Sequence, residues 1–147
     1  VYAPVLDEMY VASASGGATL NGVLIEATGG ALLEGARLAG PQRYLERIAK
    51  TAPETIAVPK IHSLALRLAK VAGGQIDAAF ASVNARDWDL AAADLLVHEA
   101  GGAMTGVSGE LLVYNLHNPV HGALVAAGRE RHGTLIGLVR ERWKHFS

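Results

Sequence analysis

The sequence predicts an α/β sandwich, and three observations support that prediction. From residue 56 onward, segments with strand character alternate with segments of helical periodicity, as expected for helices packed on a sheet. Half of the 147 residues are apolar, which allows a sizeable core in a single domain of this length. Glycine pairs end several of the apolar segments, at Gly16-Gly17, Gly73-Gly74 and Gly101-Gly102.

The first residues predict a β-hairpin. Segments 1–6 and 8–14 are rich in β-branched and aromatic side chains, and Asp7 separates them. The first strand starts at Val1 without a polar residue before it, and it has no strand on its N-terminal side to pair with. We therefore expect the chain to be part of something longer.

Two helices are predicted in the middle of the chain. Pro41 can begin a helix, and apolar residues recur at helical spacing until Pro53, which predicts a helix over 41–51. Ser63 can cap a second helix that ends at Gly73. Leucines and alanines fill this second helix, so we expect it to be buried on most of its surface.

The chain beyond residue 75 continues the alternation. The predicted elements are a strand over 76–82, a helix over 89–100, strands over 103–106 and 122–127, and an amphipathic helix over 129–145. The apolar residues 111–114 are strand material as well. No internal repeat or low-complexity segment interrupts the chain, so we expect one domain over residues 1–147.

Charge and composition limit the expected partners. Thirteen basic and 14 acidic residues give a net charge of −1, and no run of like charge indicates a nucleic-acid or membrane surface. The sequence has no cysteine, which excludes disulfides and thiolate metal sites and fits a reducing compartment. No apolar run approaches the roughly twenty residues that span a bilayer, and no leader segment is visible. We expect a cytoplasmic protein that binds neither nucleic acid nor membranes.

Several common catalytic and nucleotide-binding motifs are missing. No segment fits the dinucleotide motif G-x-G-x-x-G, the P-loop or the nucleophile elbow G-x-S-x-G. His98-Glu99 cannot begin a zinc-protease motif, because Gly102 stands where the second histidine should be. His117 and His121 are four residues apart, but an intervening proline would break a helix that carried both. We expect a loop there.

The segment 86–102, RDWDLAAADLLVHEAGG, carries the most information. It predicts an almost wholly apolar helix that begins at Trp88-Asp89 and ends at two glycines. Capping is one explanation of Asp89, because the helix N-terminus favours a carboxylate. The second explanation is a metal site: small residues in the first turn and the bulky indole of Trp88 would hold the carboxylate rigidly, as Mg²⁺ requires.

This segment resembles the second signature of the inositol monophosphatase superfamily. That signature is W-D-x-A-A/G followed by E-A-G-G on the same helix, and Trp88-Asp89 and Glu99 match both spacings. The similarity extends to residues 63–66 and 71–74, and near the start of the chain to residues 1–5 and 17–22. It covers nearly the whole chain.

The resemblance implies a fold, a cofactor and an activity. Superfamily members are Mg²⁺-dependent, lithium-sensitive phosphomonoesterases with the layered α/β/α/β/α fold that fructose-1,6-bisphosphatase shares. Their N-terminal half, with a glutamate-rich segment and the signature D-P-I/L-D-G-T, supplies most metal ligands, and residues 1–147 contain neither feature. The chain is thus expected to be the C-terminal α/β sandwich of a longer enzyme, inactive without its own N-terminal half. Asp89 would be a catalytic metal ligand, and a homodimer is a further expectation.

The resemblance also bears on the substrate. Inositol monophosphatases have a glutamate before Trp-Asp that contacts inositol hydroxyls, whereas residues 80–87 contain no glutamate and are one residue longer. Arg67 lies where 3′(2′),5′-bisphosphate nucleotidases carry a lysine, and Asn118-Pro119 is similar to their L-N-P segment. A cation at this position suits a second phosphate. The expected substrate is 3′-phosphoadenosine 5′-phosphate, and inositol 1-phosphate is the alternative.

The candidate substrate-binding residues are Lys60, Ser63, Arg67, Ser82 and Arg86. Each also has an ordinary explanation. Lys60 and Arg67 can be solvated cations, and Ser63 can be a helix cap. Ser82 can be a strand-end residue, and Asp87 can partly neutralise Arg86. A function of another class is a non-catalytic module that keeps the scaffold and binds a phosphorylated ligand or a partner chain. Such a module has no need of a carboxylate at residue 89, so Asp89 favours the enzyme.

Overall fold

Residues 1–142 form two sheets, a short β-ribbon and four helices. The structure is a computed structural model, and it describes residues 1–142. The strands are β1 Tyr2–Ala3, β2 Glu8–Ser13, β3 Gly17–Leu20, β4 Val23–Leu24, β5 Arg37–Ala39, β6 Ile56–Ala57, β7 Ala78–Ala81, β8 Ala85–Arg86, β9 Gly102–Gly106, β10 Val120–His121 and β11 Leu124–Gly128. The helices are α1 Gln42–Thr51, α2 Leu64–Ala72, α3 Asp87–Glu99 and α4 Arg129–Arg142.

The order of the strands defines the two sheets. Strands β1 to β4 form an antiparallel sheet in chain order. The second sheet has the order β6-β5-β7-β11-β9, in which β6, β5 and β7 are parallel and β11 is antiparallel to both of its neighbours. The carboxyl ends of the three parallel strands therefore lie at one edge of this sheet. Strands β8 and β10 pair separately as an antiparallel ribbon.

Two hydrophobic clusters fill the space between four layers. The first cluster joins the four-stranded sheet, α2, α3 and one face of the five-stranded sheet. The second packs α1 and α4 against the opposite face. Strand β7 serves both clusters, because Phe80 points into the second while Ala79 and Ala81 point into the first. The order sheet, helices, sheet, helices confirms the predicted α/β class.

The two helices between the sheets begin and end close to the predicted residues. The Ser63 hydroxyl accepts a hydrogen bond from the Leu66 N–H at 3.2 Å, so the predicted cap of α2 is confirmed. Helix α3 begins at Asp87 rather than at residue 89, because Arg86 is still extended and serves as its cap position.

None of the described helices is both long and apolar enough to cross a membrane. The predicted last residues of α4, 143–145, lie outside the described residues.

Several strands differ from the prediction. The N-terminal hairpin exists, but its first strand is short because a turn begins at Ala3, whose carbonyl accepts from the Leu6 N–H at 3.2 Å. Gly17, predicted to end the second strand, begins β3. Strand β5 was not predicted at all, since three residues are too few to show a period. Residues 111–114 were expected as strand material and form no strand.

A polar network anchors the irregular segment 25–36. Asp77 accepts hydrogen bonds from the Arg37 N–H at 2.7 Å and from the Thr28 hydroxyl at 2.8 Å. Burial alone would raise the pKa of Asp77, but hydrogen bonds from Arg37 and Thr28 outweigh it and lower the pKa to about 2. The buried Arg131 guanidinium donates to Thr28 and to three backbone carbonyls of the segment. The segment is thereby held between α4 and the five-stranded sheet.

Asp77 should make the stability of the protein depend on pH. Its pKa is lowered in the folded state, so its contribution is complete above the unfolded pKa and is lost as the pH falls toward 2. The lowering is worth on the order of 2 kcal/mol. Between about pH 5 and pH 2, the free energy of unfolding of the wild type should fall by this amount more than that of Asp77→Asn. Urea denaturation at each pH measures the difference. The same pH dependence in both proteins would contradict the assignment.

Candidate active site

The start of α3 carries the predicted metal ligand. Strand β7 leads through residues 82–84 into β8, and β8 leads directly into α3. The half-buried Asp89 lies in the first turn, where its Oδ2 accepts a hydrogen bond from the Arg86 N–H at 3.2 Å. Its Oδ1 accepts no hydrogen bond from any residue between 1 and 142. One carboxylate oxygen therefore caps the helix while the other is available to a ligand.

Trp88 does not hold this turn in the way that its size suggested. Its side chain is 71% exposed, and the guanidinium carbon of Arg86 lies 5.5 Å from the centroid of its ring. The expectation that the indole locks the first turn by packing is therefore wrong. Arg86 is exposed as well, and it stacks on the indole instead of neutralising Asp87.

Asp87 holds the turn instead, a role that was not predicted for it. Its Oδ1 lies 2.6 Å from Nε2 of His121, and its Oδ2 accepts from the Asn115 N–H at 2.9 Å. The Asp87 N–H donates to the Pro119 carbonyl at 3.1 Å. The hydrogen bond with His121, and then that from Asn115, lower the pKa of Asp87 below its usual value. The loop expected around His117 is present, and it is fastened to α3 by these contacts.

A pocket of about 720 Å³ lies at the carboxyl edge of the three parallel strands. Ligands of open α/β sheets commonly bind at this edge. It is lined by β5 and the residues after it, by α1, by β6 and the residues beside it, by the residue after β7 and by one residue of α2: Leu38, Gly40, Pro41, Gln42, Leu45, Glu46, Ala49, Thr55, Ala57, Val58, Lys60, Ser82 and Arg67. Three candidate substrate-binding residues, Lys60, Arg67 and Ser82, thus share one pocket. Ser63, Arg86 and the predicted metal ligand Asp89 do not line it.

Arg67 is engaged with the protein's own backbone. Its Nη1 donates to the Phe80 carbonyl at 3.0 Å, and its Nη2 donates to the Ile61 carbonyl at 2.8 Å. Its Nε is buried and has no partner among the residues that the structure describes. Burial also lowers the pKa of Arg67. The side chain is therefore a tie between α2, β7 and the segment before α2, and it is not a solvated cation.

The other end of α3 has a structural purpose. Glu99 accepts hydrogen bonds from the N–H groups of Ser15 at 2.6 Å and Gly17 at 3.2 Å, so it fastens the turn between β2 and β3. Gly101 has a φ of +83°, which favours glycine at the helix end. A Cβ at Gly102 would lie 2.8 Å from a backbone oxygen of β11. The E-A-G-G sequence thus ends the helix and joins it to both sheets.

The residues around Asp89 fit only one part of a magnesium site. Mg²⁺ takes oxygen ligands in octahedral geometry, and a carboxylate with a free oxygen suits it. No three His, Cys, Asp or Glu side chains within residues 1–142 converge so that they could hold a metal ion. A magnesium site that uses Asp89 therefore needs ligands other than those described.

Comparison with models of protein families gives one match along nearly the whole chain. The model of the inositol monophosphatase family matches residues 1–144. The chain belongs to the inositol monophosphatase family. The predicted membership of the inositol monophosphatase superfamily is confirmed, whereas the closer resemblance to bisphosphate nucleotidases stays a prediction.

Relatives with curated names agree with the family. Nus factor SuhB of Salmonella typhimurium strain LT2 is 33% identical over 140 residues, which are 89% of this chain and 50% of that protein. Fructose-1,6-bisphosphatase/inositol-1-monophosphatase of Thermotoga maritima is 34% identical over 116 residues, 75% of this chain and 44% of that protein. Inositol-1-monophosphatase of Mesorhizobium japonicum is 30% identical over 118 residues, 74% of this chain and 44% of that protein. The chain spans about half the length of these relatives.

Solved structures of the inositol monophosphatase family confirm the fold. The extragenic suppressor protein SuhB of Bartonella henselae superposes with a TM-score of 0.79 at 27% identity, over 95% of this chain and 56% of that one. The inositol monophosphatase of Thermotoga maritima gives a TM-score of 0.81 at 25% identity, over 99% of this chain and 56% of that one. The layered sandwich is therefore that of the family.

The contacts of Arg67 predict that it acts on stability. Arg67→Met leaves the carbonyls of Phe80 and Ile61 without their charged donor, so we expect the free energy of unfolding to fall by on the order of 3 kcal/mol. Lys60→Met is the matched control, because it removes an exposed cation from the same pocket and should change stability by less than about 0.5 kcal/mol. Equal, small effects in urea denaturation would show that the backbone contacts of Arg67 do not matter.

Proposed function

We propose that residues 1–147 are the C-terminal α/β domain of a longer Mg²⁺-dependent phosphomonoesterase. The observation that carries this proposal is Asp89, which stands in the family signature at the start of α3 with one oxygen unused by the described residues. Two relatives are named as phosphatases of fructose 1,6-bisphosphate or inositol 1-phosphate, which supports the same activity. The remaining metal ligands would come from the N-terminal half of the protein.

The chemistry needs little from this chain beyond binding and orientation. When bound, Mg²⁺ supplies Lewis acidity toward the phosphoryl group, so the reaction requires no nucleophilic side chain. Asp89 would hold the ion with Oδ1 while its Oδ2 stays bonded to the Arg86 N–H. The first turns of α2 and α3 present N–H groups that attract anions, and Lys60 adds an exposed positive charge beside the pocket.

The structure changes the balance between the two candidate substrates. The nucleotide proposal relied on Arg67 as a ligand of the second phosphate, yet both terminal nitrogens of Arg67 bind backbone carbonyls. Lys60 is the other cation of the pocket, and the volume of about 720 Å³ has room for a nucleoside. Inositol 1-phosphate has the support of two relatives' names. We therefore propose inositol 1-phosphate first and 3′-phosphoadenosine 5′-phosphate second.

A function of another class has one observation in its favour. Several relatives carry the name Nus factor SuhB, which is not the name of an enzyme. A non-catalytic role in binding a partner is therefore the second candidate function. The cytoplasmic location, the homodimer, the lithium sensitivity and the absence of nucleic-acid and membrane binding stay predictions.

Asp89→Asn tests the metal-ligand role in the full-length protein. The change removes the negative charge but keeps the volume, so the fold should persist. Mg²⁺-dependent phosphate release should fall by more than about a hundredfold, because loss of a direct metal ligand costs more than loss of a residue that only supports a ligand. Glu54→Gln, which neutralises an exposed carboxylate elsewhere, is the control and should retain activity. Retained activity of Asp89→Asn with an unchanged requirement for Mg²⁺ would contradict the assignment.

The substrate is tested by comparing kcat/KM of the full-length protein for two phosphate esters with Mg²⁺ present. We expect inositol 1-phosphate to be preferred over 3′-phosphoadenosine 5′-phosphate, because Arg67 is not free for a second phosphate. A preference for the nucleotide would reverse this order and point to Lys60 as the phosphate ligand. Phosphate release from neither ester would favour the non-catalytic role.

A further inference from the structure

A polar network surrounds the first two turns of α3, and the proposed function does not yet use it. Asp87 contacts Nε2 of His121 and the Asn115 N–H, as described above. About two turns farther along, Asp94 accepts a hydrogen bond from the Tyr114 hydroxyl at 2.7 Å. The ring centroids of Tyr114 and His121 lie 5.5 Å apart, so the Asp87–His121 and Asp94–Tyr114 contacts form one connected group. Segment 114–121 is therefore attached to α3 at two points that lie about two turns apart.

The same segment is also attached to the strand that enters α3. Val120 pairs with Arg86 and His121 pairs with Ala85 in the ribbon of β8 and β10. The Asn84 N–H donates to the His121 carbonyl at 2.9 Å. The entry to α3 and its first two turns are thus fixed to one loop by both backbone and side-chain bonds.

The first turn of a helix needs such contacts if it is to hold a ligand precisely. Its N–H groups have no partners within the helix, so an isolated first turn frays. Packing by Trp88 cannot prevent this, because 71% of the side chain is exposed. Metal ligands must be held to within about 0.5 Å, and partners behind the ligands usually supply that order. Asp87 precedes Asp89 by two residues in the same turn, so contacts that fix Asp87 also fix Asp89.

We propose that Asp87 is a positioning residue: by binding His121 and Asn115 it holds the first turn of α3 so that Asp89 is ready to bind Mg²⁺. This inference rests on the proposed function. It makes His121 the residue that anchors Asp87, whereas the sequence analysis predicted only a loop residue there. Asp87 itself does not touch the metal or the substrate.

The experiment measures Mg²⁺ binding to the full-length protein by calorimetry without substrate. In parallel, kcat for phosphate release is measured as a function of Mg²⁺ concentration. Asp87→Ala should raise the Mg²⁺ dissociation constant about tenfold, the usual effect of losing a partner behind a ligand. kcat should recover at saturating Mg²⁺, because Asp89 is still present. His121→Ala should have the same effect, and the double variant should add little, since both changes remove one interaction. Asp87→Asn keeps an acceptor for the Asn115 N–H and should restore part of the affinity.

Two controls separate positioning from general stability and from the proposed function. Glu54→Ala removes an exposed carboxylate and should leave the Mg²⁺ dissociation constant unchanged. If Asp87→Ala lowers the melting temperature but leaves the Mg²⁺ dissociation constant unchanged, while Asp89→Asn abolishes binding, the positioning role is wrong and the proposed function stands. If Asp89→Asn binds Mg²⁺ as the wild type does, the proposed function fails and the positioning role fails with it.

Discussion

The burial of α3 between two sheets is the constraint on which the rest of the structure depends. One side of the helix faces β2 and β3, and another faces β9 and β11. A helix in this place must present apolar side chains to both sheets, and the fully buried ones are Leu90, Ala93, Leu96 and Val97. Because buried polar groups need partners, most of its charged side chains lie at the two ends. The apolar middle and the polar ends of residues 86–102 have this common cause.

The two ends of α3 use their carboxylates differently. At the C-terminal end, Glu99 binds backbone N–H groups of the β2–β3 turn, so the carboxylate joins the helix to the first sheet. At the N-terminal end, Asp87 binds His121 and Asn115 and joins the helix to a loop. Asp89 keeps one oxygen that no described residue uses, and so does Asp94 farther along the helix. Of the two, Asp89 lies in the first turn, and it is the carboxylate that we propose as the metal ligand.

Local features made much of the fold predictable, whereas contacts between distant residues did not. The cap at Ser63 and the glycine end of α2 depend on a few neighbouring residues, and both were predicted. Strand β5 has only three residues and gave no period. The Asp87–His121 pair joins residues 34 positions apart. The partners of Arg67 are backbone carbonyls, and because every residue has one, the sequence does not show which of them Arg67 binds. The sequence therefore indicated Asp89 but not what holds it.

The most direct test of the central claim is a crystal structure of the full-length protein with Mn²⁺, which binds the same oxygen ligands as Mg²⁺ and is located by its anomalous scattering. The account predicts a Mn²⁺ ion bound directly to Oδ1 of Asp89, with Oδ2 still accepting the Arg86 N–H. A Mn²⁺ ion held elsewhere, with Oδ1 of Asp89 bonded to a protein donor, would contradict it.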